Sequence, residues 1–221
     1  MPGRMTIRDN HDMRHWPIFG LRLTTPRLEL RLPSMADLDA LTDRALEGVH
    51  EPGFMPFLIP WTAAPVEELE RSTIQYHLRV LAAWRPEDWT ANFVVVHDGQ
   101  VIGSQGMSGN DFAITREVST GSWLGRAWQG KGLGTEMRAA VLHLAFAGLG
   151  AETARSSAFV DNPASLAVSR KLGYREDGTT VQAVQGRRRV DQRLLLNRAD
   201  FTSPVPVEIH GLDACRAEFG A

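Results

Sequence analysis

The clearest chemical signal in the chain is a glycine-rich segment near its middle. It reads WLGRAWQGKGLGTE from Trp123 to Glu136, with glycines at the alternate positions Gly130, Gly132 and Gly134. A strand-like pattern precedes it and a helical pattern follows it. The first N–H groups of a helix have no intrahelical partner, and the helix dipole adds positive charge there. The segment therefore predicts a cradle for a phosphate or pyrophosphate group.

Two nucleotide-binding motifs fit this segment incompletely. Gly125-x4-Gly130-Lys131 resembles a P-loop, but Gly132 follows the lysine where a P-loop needs Ser or Thr to hold Mg²⁺. A dinucleotide-binding fingerprint lacks its third glycine, because Thr135 stands at that position. A tight structural connection without a ligand is the third alternative. The residues alone favour a phosphate cradle of a different type.

The elements that must position this segment alternate between strands and helices. The Asp-Gly pair at 98–99 and the Gln-Gly pair at 185–186 predict hairpin turns, and Ser34 predicts the N-cap of a helix. Four prolines exclude a continuous helix from His50 to Pro65, although that loop is rich in large apolar residues. Expected strands cover 27–32, 93–96, 101–107, 118–124, 153–160, 174–184 and 187–196, and expected helices cover 35–46, 66–84, 132–147 and 164–172.

Composition narrows the class of protein. Hydrophobic residues make up 43% and charged residues 23% of the chain, which excludes disordered, collagenous and coiled-coil proteins. The formal charge of −2 offers no basic footprint, so we expect no nucleic-acid partner. We also expect no membrane span and no metal site. The single cysteine, Cys215, excludes an intramolecular disulfide and favours a reducing cytoplasm.

Motifs on both sides of the glycine-rich segment identify a family that the chain resembles. Together with Gln129-x-x-Gly132-x-Gly134, these motifs resemble those of the GCN5-related N-acetyltransferase (GNAT) superfamily, in particular its RimJ/RimL branch. They occur in that family's order from about Leu23 to Leu196. The supporting motifs are Thr25–Leu28 (TPRL), Ser122–Gly125 (SWLG), Thr135–Glu136 (TE), Asp161–Leu166 (DNPASL) and Arg170–Tyr174 (RKLGY).

The resemblance implies an α+β GNAT fold. Its central sheet is mixed and mostly antiparallel, its parallel strands 4 and 5 are splayed apart, and helices flank it. Strands 4 and 5 correspond to Val118–Leu124 and Thr153–Val160. The domain would span residues 21–200, between an N-terminal arm of residues 1–20 and a C-terminal tail of residues 201–221.

The resemblance also implies which residues bind acyl-CoA. The pantetheine arm would pair with the backbone of Trp123 and Leu124, and either Arg126 or Lys131 would add charge to the phosphate site. Asn162 would contact the pantetheine or a nearby water, although it is equally suited to cap the following helix. The expected pyrophosphate cradle consists of Gln129, Gly130, Lys131, Gly132, Leu133, Gly134 and Thr135.

In this family a substrate amine attacks the CoA thioester directly, and an acid protonates the leaving thiolate. Many members use a tyrosine as that acid, and alignment on the RKLGY motif places Ser169 there. The RimL-like branch uses the serine of its Asn-x-x-Ser motif, which corresponds to Ser165. Ordinary helix serines without a catalytic role are the alternative for both.

The general base is not assigned by any motif. The RimL-like branch carries a glutamate on the next strand, but residues 181–184 contain no carboxylate. Glu117, expected at the mouth of the splayed strands, is one candidate, and His50 and Glu51 are others. A chain of water molecules is the remaining alternative.

The sequence thus predicts an N-acyltransferase that moves an acetyl or succinyl group from CoA to a primary amine. The acceptor is a protein N-terminus, a lysine or a small amine. Three arginines at 187–189 form either a solvated strand edge or a site for an acidic acceptor or donor carboxylate. The apolar loop lines either a substrate channel or the interface of a homodimer or higher homo-oligomer. The alternative function is a catalytically idle CoA-binding sensor or scaffold.

Overall fold

The computed structural model describes residues 13–221, so residues 1–12 of the expected N-terminal arm lie outside the described part. Nine strands form a single sheet in the order β7-β8-β6-β5-β4-β3-β2-β1-β9. Every neighbouring pair is antiparallel except β5 and β6. The strands are β1 Arg22–Thr24, β2 Glu29–Arg31, β3 Asp88–His97, β4 Gln100–Asn110, β5 Glu117–Leu124, β6 Thr153–Phe159, β7 Arg175–Val184, β8 Arg187–Asn197 and β9 Glu208–His210.

Helices cover both faces of the sheet. They are α1 Met35–Leu46, α2 Val66–Ala82, α3 Phe112–Thr115, α4 Leu133–His143, α5 Pro163–Lys171 and α6 Leu212–Cys215. One turn of π-helix, Leu144–Leu149, extends α4. In residues 13–221, no helix is long and apolar enough to cross a membrane.

The predicted mixed sheet with one parallel pair is confirmed, but the splayed strands are fifth and sixth rather than fourth and fifth. The chain turns at Thr25, whose N–H donates to Leu28 O over 2.9 Å, and residues 22–31 therefore form two short strands. Only β2 was predicted from the sequence, because Pro26 interrupts the apolar alternation.

Local signals were reliable where neighbours in the chain decide the structure. Ser34 Oγ accepts the N–H of Asp37 at 3.1 Å, and the Asp37 carboxylate accepts the N–H of Ser34 at 3.0 Å, which completes a capping box on α1. Both predicted hairpin turns place two residues at positive φ, Asp98 (48°) with Gly99 (74°), and Gln185 (48°) with Gly186 (70°). This geometry matches the twist of the flanking strands.

The buried face of α2 differs from the expected apolar one. Its buried residues are Leu69, Thr73, His77 and Leu81, which recur every four positions. Val66 and Leu78, two large apolar residues of the same helix, are exposed. The reason is that part of α2, including Thr73 and His77, lines a cavity rather than a continuous apolar core.

The main core lies on the α4 side of the sheet and includes both ends of the described chain. Ile18 precedes β1, and Phe219 follows α6; both are fully buried there. Strand β9 pairs with β1, in the register Leu23 with Ile209. Residues beyond 200 therefore complete the sheet edge and the core.

Candidate functional site

The parallel pair β5–β6 opens into a cleft. Only three residue pairs join the strands, from Glu117–Thr153 to Ser119–Arg155. Beyond them, two hydrogen bonds at Thr120 still bridge the gap: Ser156 Oγ donates to Thr120 O (3.1 Å), and Thr120 Oγ1 donates to Arg155 O (3.3 Å). The stretch from Gly121 to Leu124 remains paired with β4 on its other edge. One edge of β5 is thus free to hydrogen-bond an extended ligand.

The glycine-rich turn follows this free edge directly. Gly130 and Gly132 have φ of 72° and 81°, where a side chain would be strained, and Gly132 is the N-cap of α4. Within the described chain, the N–H groups of residues 130–134 donate to no protein acceptor. Five free donors at the N-terminus of an eleven-residue helix are an arrangement that can hold an anion, and this candidate anion site lies beside the cleft.

Gln129 holds this turn instead of facing the anion site. Its side-chain amide donates to Val49 O at 2.7 Å and to Leu124 O at 2.8 Å. The Leu124 carbonyl is therefore already engaged. The predicted contact residue fixes the end of β5 against the loop that follows α1.

The buried carboxylate of Glu136 anchors the start of α4, a role that was not predicted from the sequence. Glu136 accepts hydrogen bonds from Thr25 Oγ1 (2.7 Å), Arg27 N (3.1 Å) and Arg27 Nε (2.7 Å). Arg27 also donates to Lys131 O at 3.1 Å. Its guanidinium thus neutralises a negative charge that would otherwise repel a phosphate. The TPRL motif was the available signal, although its sequence does not reveal this partner.

The two cations expected to add charge to the phosphate site are placed differently. Arg126 forms an ion pair with Glu51 at 2.7 Å. The Lys131 ammonium lies 5.3 Å from the centre of the Trp128 ring. Lys131 stays beside the turn, whereas the charge of Arg126 is already compensated.

The start of α5 brings Asn162 and the candidate acid Ser165 together. Asn162 Oδ1 accepts the N–H of Ser165 at 3.2 Å, so the capping role considered for Asn162 is present. The Ser165 hydroxyl makes no hydrogen bond to any described residue and is half-buried. It is available to a ligand in the cleft.

Ser169 is fully buried and its hydroxyl is engaged. It donates to Ser165 O at 3.2 Å and accepts from Arg138 at 3.0 Å. The same guanidinium donates to Ser122 Oγ at 3.0 Å, which links α4 to the free part of β5. No carboxylate among the described residues pairs with Arg138. Burial lowers its pKa, and burial raises the pKa of the neighbouring Tyr174 phenol.

Each of the three candidate bases is engaged by another side chain. Glu117 lies at the paired end of β5, not at the mouth of the splayed strands as expected, and its carboxylate binds Arg155 at 2.7 Å. His50 Nε2 contacts Thr62 Oγ1 at 2.7 Å, and Glu51 pairs with Arg126. The ladder register places Glu117 away from the free part of β5, and His50 and Glu51 each have a side-chain partner in the described chain.

A cavity of about 690 Å³ adjoins the cleft on the α2 side of the sheet. Its floor is formed by small residues of β3, β4 and β5, and its walls by α2 and the apolar loop 50–65. The polar residues that line this cavity could not be predicted from the sequence, because α2 and β3 contribute them from distant parts of the chain. The lining residues used below are Phe57, Trp61, His77, Arg79, Asn92, Gly106, Gly121 and Trp123.

This architecture has a counterpart among known protein families. The sequence model of the acetyltransferase (GNAT) domain matches residues 27–175, which include the cleft, the anion site and α5. The chain belongs to the GNAT acetyltransferase family. It is thereby an N-acetyltransferase, and the family's acyl donor is an acyl-CoA. The glycine-rich turn belongs to a GNAT domain rather than to a P-loop protein.

Solved GNAT structures share the fold at low sequence identity. RimL, a ribosomal L7/L12 α-N-protein acetyltransferase in complex with coenzyme A, is 21% identical (TM-score 0.61; 78% of this chain and 95% of that chain covered). A spermidine N-acetyltransferase SpeG chimera from Vibrio cholerae and hSSAT is 20% identical (0.60; 78% and 96%). A GCN5-related N-acetyltransferase from Brucella melitensis is 16% identical (0.65; 81% and 79%).

Proposed function

We propose that this GNAT acetyltransferase moves an acetyl group from acetyl-CoA, or a succinyl group from succinyl-CoA, to a primary amine. The acceptor amine belongs to a protein or to a small molecule. The observation that carries the proposal is the free edge of β5 ending at five unpartnered N–H groups. An extended arm paired with that edge would place a pyrophosphate at the start of α4.

The proposed CoA contacts follow from that arrangement. Trp123 and the free edge of β5 bind the pantetheine arm, and Asn162 Nδ2 remains available to it because only Oδ1 caps α5. The N–H groups from Gly130 to Gly134 bind the pyrophosphate, with Lys131 beside them. Gln129 and Thr135 shape the turn: Gln129 holds Leu124, and Thr135 N–H donates to Gly132 O at 3.1 Å.

The proposed reaction is a direct transfer. The amine nitrogen attacks the thioester carbonyl carbon, the C–S bond breaks, and the thiolate accepts a proton as the amine loses one. Ser165 is the preferred hydroxyl for the leaving sulfur, since Ser169 already donates to Ser165 O. Glu117, His50 and Glu51 are engaged elsewhere, which favours removal of the amine proton by water.

Thermal unfolding with acetyl-CoA, succinyl-CoA, free CoA and Mg-ATP tests this proposal. A ligand at a hundredfold excess over its Kd stabilises the native state by about 2.7 kcal/mol. We expect stabilisation by the CoA compounds and none by Mg-ATP. The thioester that stabilises the protein more is identified as the acyl donor. Release of free thiol on addition of amines then separates an active enzyme from an idle CoA sensor. No shift with any CoA compound would overturn the proposal.

Two properties of the whole protein are proposed with it. Leu58 and Ile59 in the apolar loop are 53% and 73% exposed, which favours a homodimer or higher homo-oligomer formed through that loop. Light scattering on the native protein and on a Leu58→Ser, Ile59→Ser variant tests this, and a monomeric native protein would contradict it. The lone free cysteine favours a cytoplasmic location.

A further inference from the structure

The cavity beside the cleft has aromatic walls. The rings of Phe57 and Trp61 are 5.3 Å apart, and those of Trp61 and Trp123 are 5.4 Å apart, measured between centroids. These rings extend from the apolar loop to the free part of β5. Flat aromatic faces favour a flat partner, because stacked or edge-on rings gain energy beyond burial alone.

The floor of the cavity is open where the cleft begins. Asn92, Gly106 and Gly121 lie side by side on three adjacent strands. A Cβ atom at Gly121 would meet nothing within 4 Å, whereas one at Gly106 would approach Asn92 Oδ1 to 2.7 Å. The missing side chain at Gly121 therefore leaves the space above β5 open, and the missing side chain at Gly106 leaves room for the side chain of Asn92.

No carboxylate is present among the described residues that line the cavity. A smaller adjoining depression contains Asp88 and Glu117, but Arg85 lies 3.8 Å from Asp88 and Arg155 lies 2.7 Å from Glu117. The permanently charged side chain of the cavity is Arg79, at its exposed rim. A polycationic acceptor would therefore find repulsion and no free negative partner.

Two buried side chains in the cavity each have a nitrogen atom without a hydrogen-bond partner among residues 13–221. His77 is 4% exposed and its Nδ1 atom is unpaired, and Asn92 is 9% exposed with its Nδ2 atom unpaired. Unsatisfied buried polar groups are costly, and a bound ligand commonly satisfies them. Burial lowers the pKa of His77 to about 4, so the imidazole is neutral at pH 7 and has one donor and one acceptor nitrogen.

We infer that the acceptor is a small primary amine on a flat, uncharged aromatic body with a polar group that hydrogen-bonds to His77 or Asn92. This inference rests on the proposed acyl transfer. The aromatic body lies between the rings of the wall, and the amine reaches the free edge of β5 at Gly121. An apolar wall also favours the uncharged amine, which is the form that attacks the thioester.

Three amines test the acceptor class. With acetyl-CoA, we expect kcat/KM for tyramine to exceed that for spermidine at least tenfold, because spermidine is polycationic. Phenethylamine, which lacks the hydroxyl of tyramine, falls between them. Preference for spermidine over tyramine would overturn the inference and leave the proposed acyl transfer standing.

Variants of the cavity test its location. Gly121→Val fills the open space, so we expect at least a tenfold loss in kcat/KM for tyramine with Kd for CoA changed less than threefold. His77→Leu combined with Asn92→Leu should remove the preference for tyramine over phenethylamine. Leu78→Ala is the control, because Leu78 is exposed on the same helix and outside the lining. A preference unchanged in the double variant would contradict the roles of His77 and Asn92.

Tyramine binding is also measured directly, through the fluorescence of Trp61 and Trp123. Quenching that is present in the native protein and absent in Gly121→Val supports the inference even without turnover. If CoA binds and tyramine neither binds nor reacts, the inference is wrong. If CoA does not bind, the proposed acyl transfer is wrong, and the quenching still decides whether the cavity accepts aromatic amines.

Discussion

Two serines one helical turn apart on α5 have different surroundings. The Ser165 hydroxyl makes no hydrogen bond to a described residue, whereas Ser169 joins Ser165 O to the buried guanidinium of Arg138. A hydroxyl without a protein partner is available to the leaving sulfur. A hydroxyl that satisfies a buried cation is needed by the fold, because an unpaired guanidinium N–H is expensive to bury.

Alanine variants separate these two roles. Ser165→Ala should lower kcat at least tenfold with Kd for CoA and the melting temperature nearly unchanged. Ser169→Ala should destabilise the native state by about 1–3 kcal/mol, since Arg138 loses a partner. Urea unfolding and steady-state kinetics on both variants measure this. Full turnover by Ser165→Ala at every pH would exclude Ser165 as the acid.

His77 makes the stability of the protein depend on pH. Its folded pKa of about 4 lies below the ordinary value of 6.5, so above pH 6.5 the imidazole is neutral in both states and has no effect. Below pH 6.5 the unfolded chain gains the proton first, and about 3 kcal/mol of stability is lost as the pH falls to 4.

Urea unfolding between pH 7 and 4 checks this loss. His77→Gln should show a shallower decline than the native protein, and His210→Gln, which changes an exposed histidine, serves as the control. If the free energy of unfolding declined equally in all three proteins, His77 would be protonated as readily in the folded state as in the unfolded state.

The N-terminus of α4 holds a side-chain carboxylate and also has free N–H groups for a ligand. A helix start is stabilised by negative charge, whether that charge is a ligand or a side chain. Glu136 already lies in the first turn, and Arg27 compensates it. The free N–H groups therefore remain available to a ligand phosphate rather than to a side-chain cap.

A charge added to this helix start should change stability and binding in opposite directions. A Cβ at Gly134 would lie 3.7 Å from Val168 Cγ2, an ordinary contact, and its φ is not positive, so a side chain is tolerated. Gly134→Asp should bind CoA at least tenfold more weakly than the isosteric Gly134→Asn, while its ligand-free melting temperature is equal or higher. Isothermal titration and thermal unfolding measure the two effects; equal CoA affinities would exclude an anion site there.

The C-terminal residues pack against the segment that joins α2 to β3 and against the start of β3. Phe219 packs edge-on against Trp84 and Trp89, with ring centroids 5.2 and 4.9 Å away. Trp89 Nε1 donates to Phe219 O at 3.0 Å. The far edge of the sheet and the start of β3, which forms part of the cavity floor, are thereby fixed by residues beyond 200.

Truncating this ring should destabilise the entire protein. Phe219→Ala leaves a cavity among large rings, and we expect a loss of about 3–5 kcal/mol in the free energy of unfolding. Ile114→Ala, at a position that is 84% exposed, should change it by less than about 0.5 kcal/mol. Urea unfolding compares the two; a loss below about 1 kcal/mol for Phe219→Ala would show that the C-terminal segment is peripheral.

Features that depend on residues close together in the chain could be predicted from the sequence. The cap at Ser34, the two hairpin turns, the helix start at Gly132 and the Asn162 cap each require particular residue types at short spacing. The GNAT fold and the cleft beside the glycine-rich turn were predicted from the resemblance of the sequence motifs to that family, not from these local features. Backbone sterics and local hydrogen bonds act within a few residues, so the sequence displays them directly.

Contacts between residues far apart in the chain could not be predicted from the sequence. The pairing of Arg27 with Glu136, the buried link from Arg138 to Ser169, and the cavity that joins His77 to Asn92 all cross long stretches of chain. Glu117 was misplaced for the same reason, because the register of β5 against β6 sets which end of the strand is open. Such contacts depend on sheet order and helix packing, and these follow from the burial of the whole core rather than from any local pattern.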